Sequence, residues 1–204
     1  MAKKTREILL DYTYRELEKF GYFQASTTDI LKKCSIPKGS MYHYFSSKHD
    51  LSLAVINERV KDATLKHLSF KYDKTPFLSM IEFIDSLDFN KRAFKYDLLF
   101  HKLYCETTPH ESEFKEALDE IHALLVVEYS AVIDKAVQLR EVDKTNAHSL
   151  SHFILTSIFG IISLKDEVAK DRLVEYLTSL LLSEVKSKKV VKRVSKPKKQ
   201  GSLF

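Results

Sequence analysis

Residues 26–51 read STTDILKKCSIPKGSMYHYFSSKHDL and contain the start and stop signals of three successive helices. Ser26 and Ser47 are each followed three residues later by an aspartate, which is the spacing of a capping box at a helix start. Between them, Pro37 disfavours helix at the preceding residue and suits the first turn of the next helix. The stretch therefore predicts one helix from Ser26, a short helix from about Pro37 to Phe45, and another after Ser47.

A further helix is predicted ahead of this stretch, because apolar residues recur at helical spacing from Lys3 to Phe20 and Gly21 follows as a stop signal. Two helices joined by a turn of three or four residues, the second short and polar, form a helix-turn-helix. The first helix is expected to pack behind the pair as a brace. We therefore predict a three-helix helix-turn-helix DNA-binding domain over residues 1–50.

The composition is that of a globular, helical protein. The chain has 204 residues, of which 44% are hydrophobic and 30% charged, with 4 glycines and 4 prolines, and we predict an all-α fold. Two cysteines, Cys34 and Cys105, are too few for a disulfide framework, which favours a reducing compartment. The N-terminal sequence lacks the features of a secretory signal, and the longest apolar stretch, Phe153–Leu164, is shorter than a bilayer span. We expect a cytoplasmic protein with no membrane span.

The charge is unevenly distributed along the chain. Residues 1–50 carry 9 basic and 6 acidic side chains, a net +3, whereas residues 51–184 carry 16 and 22, a net −6. The last 20 residues carry 8 basic and no acidic side chains. This distribution predicts an anion-binding N-terminal domain on a body that does not bind polyanions. It also predicts a disordered basic tail over residues 186–204, either solvated or in nonspecific contact with phosphates or an acidic membrane surface.

Residues 51–185 are predicted to form a second, helical domain, because apolar residues recur there at helical spacing between charged ones. The first predicted helix of this domain runs from after Leu51 to about Phe70. The others span Phe77–Phe89, Lys91–Glu106, Glu113–Glu141, Asn146–Leu164 and Glu167–Val185.

The four consecutive rings at positions 42–45 divide by helical phase. Met41 and Phe45 are four residues apart and are the expected anchors to the core. Tyr42, His43 and Tyr44 would then point toward a nucleic-acid groove, where flat and hydrogen-bonding side chains contact bases and phosphates. The alternative is a packed aromatic cluster, although one short helix cannot bury all four consecutive side chains.

The segment Gly21–Leu51 resembles the DNA-binding domain of the TetR family of bacterial transcriptional regulators. That family has a glycine–aromatic pair ending the first helix, a threonine-rich start of the second, then Lys-Gly-Ser/Thr-apolar-Tyr-x-x-Phe and a Ser-Lys-acidic-acidic-Leu stretch. The matching positions here are Gly21, Tyr22, Ser26, Thr27, Ile30, Lys38, Gly39, Ser40, Met41, Tyr42, Phe45, Lys48, Asp50 and Leu51.

The resemblance implies that phosphates are contacted by Thr27, Lys38, Tyr42 and Lys48, and that bases or the groove wall are contacted by Ser40, His43 and Tyr44. Gly39 lets the nucleic-acid backbone approach closely. The full set of candidate DNA-binding residues is Ser26, Thr27, Lys38, Gly39, Ser40, Tyr42, His43, Tyr44 and Lys48.

Two positions depart from the family pattern. Cys34 and Ser35 stand where the turn usually has a small residue and a glycine, so we expect a slightly strained turn. His49 replaces a usual acidic residue, and it is expected either to weaken the cap of the fourth helix or to place a pH-sensitive cation near DNA.

The last two predicted helices carry more apolar surface than one chain readily buries. The first is apolar nearly all round, and the second has an apolar stripe at i, i+3, i+4, i+7 and i+8. We therefore predict a homodimer formed through residues 146–164 and 167–185, which would also present two reading helices to two half-sites. The alternative is that these residues belong only to the core of the monomer.

The family resemblance also implies an unknown small-molecule effector, bound between the middle helices and shifting the two reading helices. Aromatic side chains with a few polar atoms are typical of such cavities. The candidate ligand-binding residues, each of which suits an ordinary core equally well, are Phe83, Phe94, Leu98, His101, Tyr104, Cys105, Leu125, Tyr129 and Phe153.

The sequence thus predicts a ligand-responsive DNA-binding transcriptional regulator, a repressor that binds a palindromic operator as a dimer and is released by a small molecule. The alternative is an architectural, nonspecific DNA-binding protein without a ligand response. No nucleophile–base pair, Gly-rich phosphate loop or dense carboxylate pair occurs, so we predict no enzyme. His148 and His152 have the i, i+4 spacing of metal ligands, but no glutamate accompanies them as in the metalloprotease signature, and we predict neither metal nor cofactor.

Overall fold

The computed structural model describes residues 2–88, 95–107, 109–182 and 185. Within these residues the fold is all-α, as the sequence predicts, and the one β-type contact is an isolated antiparallel bridge between Val142 and Leu181. The elements are α1 (Ala2–Gln24), α2 (Thr27–Cys34), α3 (Lys38–Tyr42), α4 (Lys48–Val55), a π-helical segment (Ile56–Val60), α5 (Lys61–Leu68), α6 (Pro76–Asp85), α7 (Lys95–Thr107), α8 (Ser112–Gln138), α9 (Ala147–Leu164) and α10 (Glu167–Leu180).

The side chains predicted to cap the helix starts form hydrogen bonds there. The Ser26 hydroxyl accepts from the backbone N–H of Asp29 at 3.2 Å, and the Ser47 hydroxyl accepts from Asp50 at 3.0 Å. Asn146 caps α9 in the same way. These contacts confirm the predicted starts of α2, α4 and α9, because each side chain satisfies an amide left without a partner in the first turn.

Several helices end earlier than the amphipathic pattern predicts. The third helix stops at Tyr42 instead of Phe45, and α6 stops at Asp85. The end of α8 moves from Glu141 to Gln138, because Arg140 adopts a left-handed backbone with φ 56°. The last helix stops at Leu180, since the next residue is extended and forms the bridge to Val142. The predicted start at Lys91 lies outside the described residues.

The head is the three-helix unit α1–α3, and α1 packs on both α2 and α4. Arg6 donates to both carboxylate oxygens of Glu58, at 2.7 Å for the Nη1–Oε2 contact. Arg59 pairs with Glu7 and, through Nε at 3.0 Å, with Asp11. These ion pairs join the first half of α1 to the π-helical segment of the helix that leaves the head.

The body is organised around α8, which packs against α5, α6, α7 and α9. Its inward face is apolar along its whole length, so the core of the body is continuous from the head to the far end. The buried residues of α8 are Phe114, Ala117, Leu118, Ile121, Leu125, Val126, Tyr129, Val132, Ile133 and Ala136.

Helix α9 is long and apolar enough, by length and composition, to cross a membrane, although the sequence predicts no span. It packs against α7, α8 and α10, and 39% of its residues are buried within the chain. These contacts are those of a core helix in a helical bundle.

Gly21 interrupts α1 with φ 76° and ψ 178°, which confirms it as the predicted stop. A Cβ at this position would collide with Oε2 of Glu106 and lie 2.8 Å from its Cδ. The substitution Gly21→Ala is expected to lower the free energy of unfolding by about 1–3 kcal/mol, because only glycine adopts this backbone conformation without strain.

Urea denaturation followed by circular dichroism measures this loss. Gly39→Ala is the matched control, because a Cβ there meets no atom within 4 Å, and its free energy of unfolding should be unchanged or slightly higher. Equal stability of the two variants would contradict the assignment of strain to Gly21.

Candidate nucleic-acid interface

The turn between α2 and α3 is built on a left-handed residue. Ser35 has φ 55° and ψ 36°, and its amide closes the end of α2 on the carbonyls of Leu31 and Lys32. This conformation is usually occupied by glycine. The strained turn predicted from Cys34 and Ser35 is therefore present, and it directs the chain into α3.

Among residues 41–45, at the end of α3 and just after it, two side chains are buried and two are exposed. Met41 is 1% exposed and Phe45 is buried beside it, as helical phase predicts, whereas Tyr42 is 49% exposed and His43 also faces solvent. Tyr44 is half-buried and packs edge-to-face against His43, with 5.0 Å between ring centroids. A fully packed aromatic cluster is thus excluded, and the exposed face contains Tyr42, His43 and one edge of Tyr44.

Polar and cationic groups surround this face. Lys38 and Gly39 are exposed at the start of α3, and the Lys38 ammonium lies 5.8 Å from the centroid of the Tyr42 ring. Ser26, Thr27 and Ser40 are half-buried, and Ser26 is engaged as the cap of α2. The described part of the head thus presents two exposed rings, Tyr42 and His43, an exposed lysine beside Tyr42 and several hydroxyls.

Lys48 is held at the end of α1. Its ammonium donates to the Phe23 carbonyl at 3.3 Å and lies 4.7 Å from the centroid of the Tyr22 ring. Burial lowers the pKa of Lys48, while the Glu106 carboxylate partly opposes that shift. Lys48, for which the resemblance implies a phosphate contact, therefore also contacts the end of α1.

His49 faces the body and not the exposed surface of α3. Its ring stacks on Phe114 at 4.5 Å with an interplanar angle of 12°, and its nitrogens lie 3.5 Å from carboxylate oxygens of Glu111 and Glu113. The Ser47 cap is formed in the presence of His49, and the expected weakening of that cap stays a prediction. The expected position near DNA is wrong, because α8 lies against that side of the histidine.

The body contains a cavity of about 360 Å³ between α7, α8 and α9. Two of the predicted ligand-binding residues, His101 and Tyr104, line it. The complete lining is Phe100, His101, Tyr104, His122, Thr156, Phe159 and Gly160.

The other predicted ligand residues lie elsewhere or remain untested. Leu125 and Tyr129 are fully buried in the core, where the Tyr129 hydroxyl donates to the Leu68 carbonyl at 2.9 Å. Phe83 stacks on Phe70, and Phe153 lies in a groove between α9 and α10. The predicted residues that do not line the cavity are Phe83, Cys105, Leu125, Tyr129 and Phe153; Phe94 and the side chain of Leu98 lie outside the described part of the chain.

The cavity wall combines aromatic faces with imidazoles that favour their neutral form. Phe100 and Phe159 stack at 4.8 Å. Burial lowers the pKa of His101, and burial together with the neighbouring His152 lowers the pKa of His122. The Tyr104 hydroxyl donates to a carboxylate oxygen of Asp119 at 2.8 Å, and this hydrogen bond raises the pKa of Tyr104.

The histidines of α8 and α9 lie side by side. The ring of His152 is 5.2 Å from that of His122 and 4.7 Å from that of His148. Across the described ranges, no group of three or more His, Cys, Asp or Glu side chains is arranged to hold a metal ion.

A groove of about 520 Å³ runs between α9 and α10 on the surface of the body. Large apolar side chains stand exposed along and beside it, with Leu164 78% exposed and Val168 69% exposed. Phe153 of α9 packs edge-to-face on Tyr176 of α10 at 5.6 Å. The residues lining the groove are Phe153, Ser157, Gly160, Ile161, Leu164, Asp166, Ala169, Arg172, Leu173 and Tyr176.

Comparison with known proteins supports this architecture. Residues 9–55 match the family model for bacterial regulatory proteins, tetR family. The chain is 30% identical over 124 residues to an uncharacterized HTH-type transcriptional regulator in the lacX 3' region of Lactococcus lactis subsp. lactis, covering 58% of this chain and 63% of that protein. It is 24% identical over 87 residues to the A-factor receptor protein of Streptomyces griseus, covering 40% of this chain and 30% of that protein.

The fold extends over nearly the whole chain. The crystal structure of E. coli NemR in its reduced form matches with a TM-score of 0.75 over 88% of this chain and 98% of that chain, at 15% identity, and therefore shares the fold. A short, outward-facing α3 on an all-α body defines the class as a helix-turn-helix protein. Over residues 9–55 the chain is similar to the N-terminal domain of the TetR family of bacterial regulatory proteins, and its fold is that of the NemR structure. The chain spans less than two thirds of the length of the two curated relatives given above.

The burial of His122 gives the stability of the body a pH dependence. Because the folded-state pKa of His122 lies below its ordinary value of 6.5, the unfolded chain binds the proton more readily. Stability is then fully present above pH 6.5 and is lost as the pH falls through the lowered folded pKa. The variant His122→Gln should lose less stability than the wild type between pH 8 and pH 5.5.

The measurement is the free energy of unfolding in urea at both pH values. The difference between the two proteins at pH 8 reports packing alone, and the change in that difference at pH 5.5 isolates the titration. Parallel pH profiles would rule out a contribution from His122.

Proposed function

We propose that the chain is a dimeric, ligand-responsive transcriptional regulator, a repressor that binds a palindromic operator and is released by a small molecule. The observation that carries this proposal is the exposed face of α3. This face lies within residues 9–55, which match the tetR family model. In this proposal residues 1–50 read DNA, and residues 51–185 form the regulatory and dimerisation domain. The tail over 186–204 is not needed for sequence-specific binding.

DNA reading is assigned to α3 because the side chains that pack into the core differ from those that face solvent. Met41 and Phe45 hold the helix to the head, which leaves Tyr42 and His43 able to contact the groove without loss of core. Lys38 supplies a phosphate contact beside them. Ser26, Thr27, Gly39, Ser40, Tyr44 and Lys48 complete the proposed DNA-binding set.

Dimerisation is assigned to the groove between α9 and α10. Exposed apolar side chains along two adjacent antiparallel helices are costly in water, and a second copy related by a two-fold axis would cover them as a four-helix bundle. Such a dimer would place two α3 helices at a fixed separation, as a palindromic operator requires.

Effector binding is assigned to the cavity lined by His101, Tyr104 and His122. Its aromatic walls and few polar atoms suit a small, flat molecule with hydrogen-bonding groups. The cavity lies against α7, which also packs on α1, so a ligand there is close to the head.

The DNA-binding assignment is tested by the salt dependence of affinity for an operator selected from random DNA. Lys38→Ala should reduce the slope of log K against log salt by about 0.9, because one phosphate contact is lost. Tyr42→Ala should weaken binding about tenfold or more without loss of stability, because Tyr42 is not part of the core. Fluorescence anisotropy between 50 and 300 mM salt measures both effects.

Lys66→Ala is the matched control, since Lys66 is an exposed cation on α5 of the body. It should keep the wild-type slope. If Lys38→Ala and Lys66→Ala behave alike, α3 is not the reading helix. Truncation after Val185 separates the two candidate functions: sequence-specific binding survives in a repressor, whereas an architectural protein loses most of its affinity.

The dimer is tested by placing a charge in the groove. Phe153→Glu should convert a dimer into a folded monomer, because an unpaired carboxylate would be buried between the two copies. Val127→Glu is the matched control, since Val127 is 67% exposed on α8 outside the groove. Light scattering coupled to size exclusion gives the mass of each variant. A wild-type monomer, or a Phe153→Glu dimer, would contradict this assignment.

A further inference from the structure

The end of α7 is bound to the break in α1. Oε2 of Glu106 accepts from the backbone N–H of Tyr22, and Oε1 accepts from the backbone N–H of Phe23, both at 3.0 Å. One carboxylate thus binds two consecutive amides across 84 and 83 residues of sequence. This is a body residue in direct contact with the backbone of the head.

These amides are available because of Gly21. Its φ of 76° and ψ of 178° interrupt the helix, so the amides that follow no longer point along the axis at carbonyls four residues back. Consecutive N–H groups at such a break form a small concave site for an anion. The carboxylate of Glu106 occupies that site.

Lys102, one turn earlier on α7, binds the complementary groups. Its ammonium lies 3.3 Å from the Glu18 carbonyl and 3.5 Å from the Lys19 carbonyl, which belong to the last turn before the break. The α1 clamp, defined as Lys102 and Glu106, therefore offers a cation to the carbonyls and an anion to the amides of one interrupted helix. Charge-assisted bonds of this kind are stronger than neutral ones.

The clamp lies next to the DNA-reading unit. Only Gln24, Ala25 and the cap residue Ser26 lie between Phe23 and the start of α2. The Phe23 carbonyl is bound in turn by Lys48 at the start of α4. The position at which α2 and α3 leave α1 is therefore fixed by α7 as well as by the chain itself.

We propose that Glu106 is a positioning residue for DNA reading, acting with Lys102 through the backbone of residues 21–23 to fix the orientation of α2 and α3 on the body. This inference rests on the proposed function. A dimer that reads two half-sites needs each head at a set angle to its body, so a head released from α7 would tolerate wrong half-site spacings.

The test compares Glu106→Gln with Glu116→Gln, which removes the same charge from an exposed position on α8. Both variants lose one negative charge, so they have the same net charge. The first readout is amide hydrogen exchange by NMR. Exchange at Tyr22 and Phe23 should be about tenfold faster in Glu106→Gln, since a charge-assisted bond is weakened, and unchanged in Glu116→Gln.

The second readout is the ratio of affinities for the selected operator and for one whose half-sites are moved apart by one base pair. Glu106→Gln should lower this ratio about three- to tenfold, whereas Glu116→Gln should keep it. A loss of stability alone lowers both affinities together and leaves the ratio unchanged. Faster exchange with an unchanged ratio would therefore reduce Glu106 to a structural contact and overturn the proposal, as would unchanged exchange.

Lys102→Met supplies the same two readouts if Glu106→Gln does not fold, because it removes the other half of the clamp and keeps an apolar stem. A wild-type protein that binds no specific DNA overturns the proposed function and this inference with it. The exchange data then still show whether the clamp is formed, so the two failures are distinguishable.

Discussion

The packing of the head against Phe114 is the contact on which the rest of the arrangement depends. A three-helix unit of about fifty residues buries too little surface to be stable by a wide margin on its own. Phe114 is fully buried, with Tyr22 edge-on at 4.8 Å and His49 stacked on its other side. The end of α1 and the start of α4, the helix that leaves the head, thus share one aromatic anchor on α8.

The charged contacts around this anchor determine orientation more than stability. Partly exposed ion pairs contribute little free energy, and the side chains of Arg6 and Glu58 are each about one third exposed. Their effect is on the orientation of α1. They hold the first half of α1 to the π-helical segment, while the α1 clamp holds the end of α1 to α7. Helix α1 is consequently fixed at both ends to different elements of the body, and α3 follows its position.

The head could be predicted in detail because its signals are local. Caps, the stop at Gly21 and the phase of Met41 and Phe45 each depend on a few neighbouring residues. The cavity could not be predicted in this way, because its lining comes from three helices. The angles at which these helices cross depend on their packing together and not on the sequence of any single helix. Phe153 and Phe159 are six residues apart on α9, so their side chains point about 120° apart, and only the second faces the cavity. His49 was misplaced for the same reason, since its partner Phe114 lies on a distant helix.

The packing of α9 explains why most of its sides are apolar. One side packs on α7 and α8 and borders the cavity between them, and another lines the groove against α10. Gly160 lines both the groove and the cavity, and it has no side chain to separate them. In the proposed dimer a second copy would lie over that groove, so the apolar sides of α9 would be covered by protein or by ligand. Packing on several sides accounts for the apolar composition of α9, and at Gly160 a bound effector and the second copy would come closest.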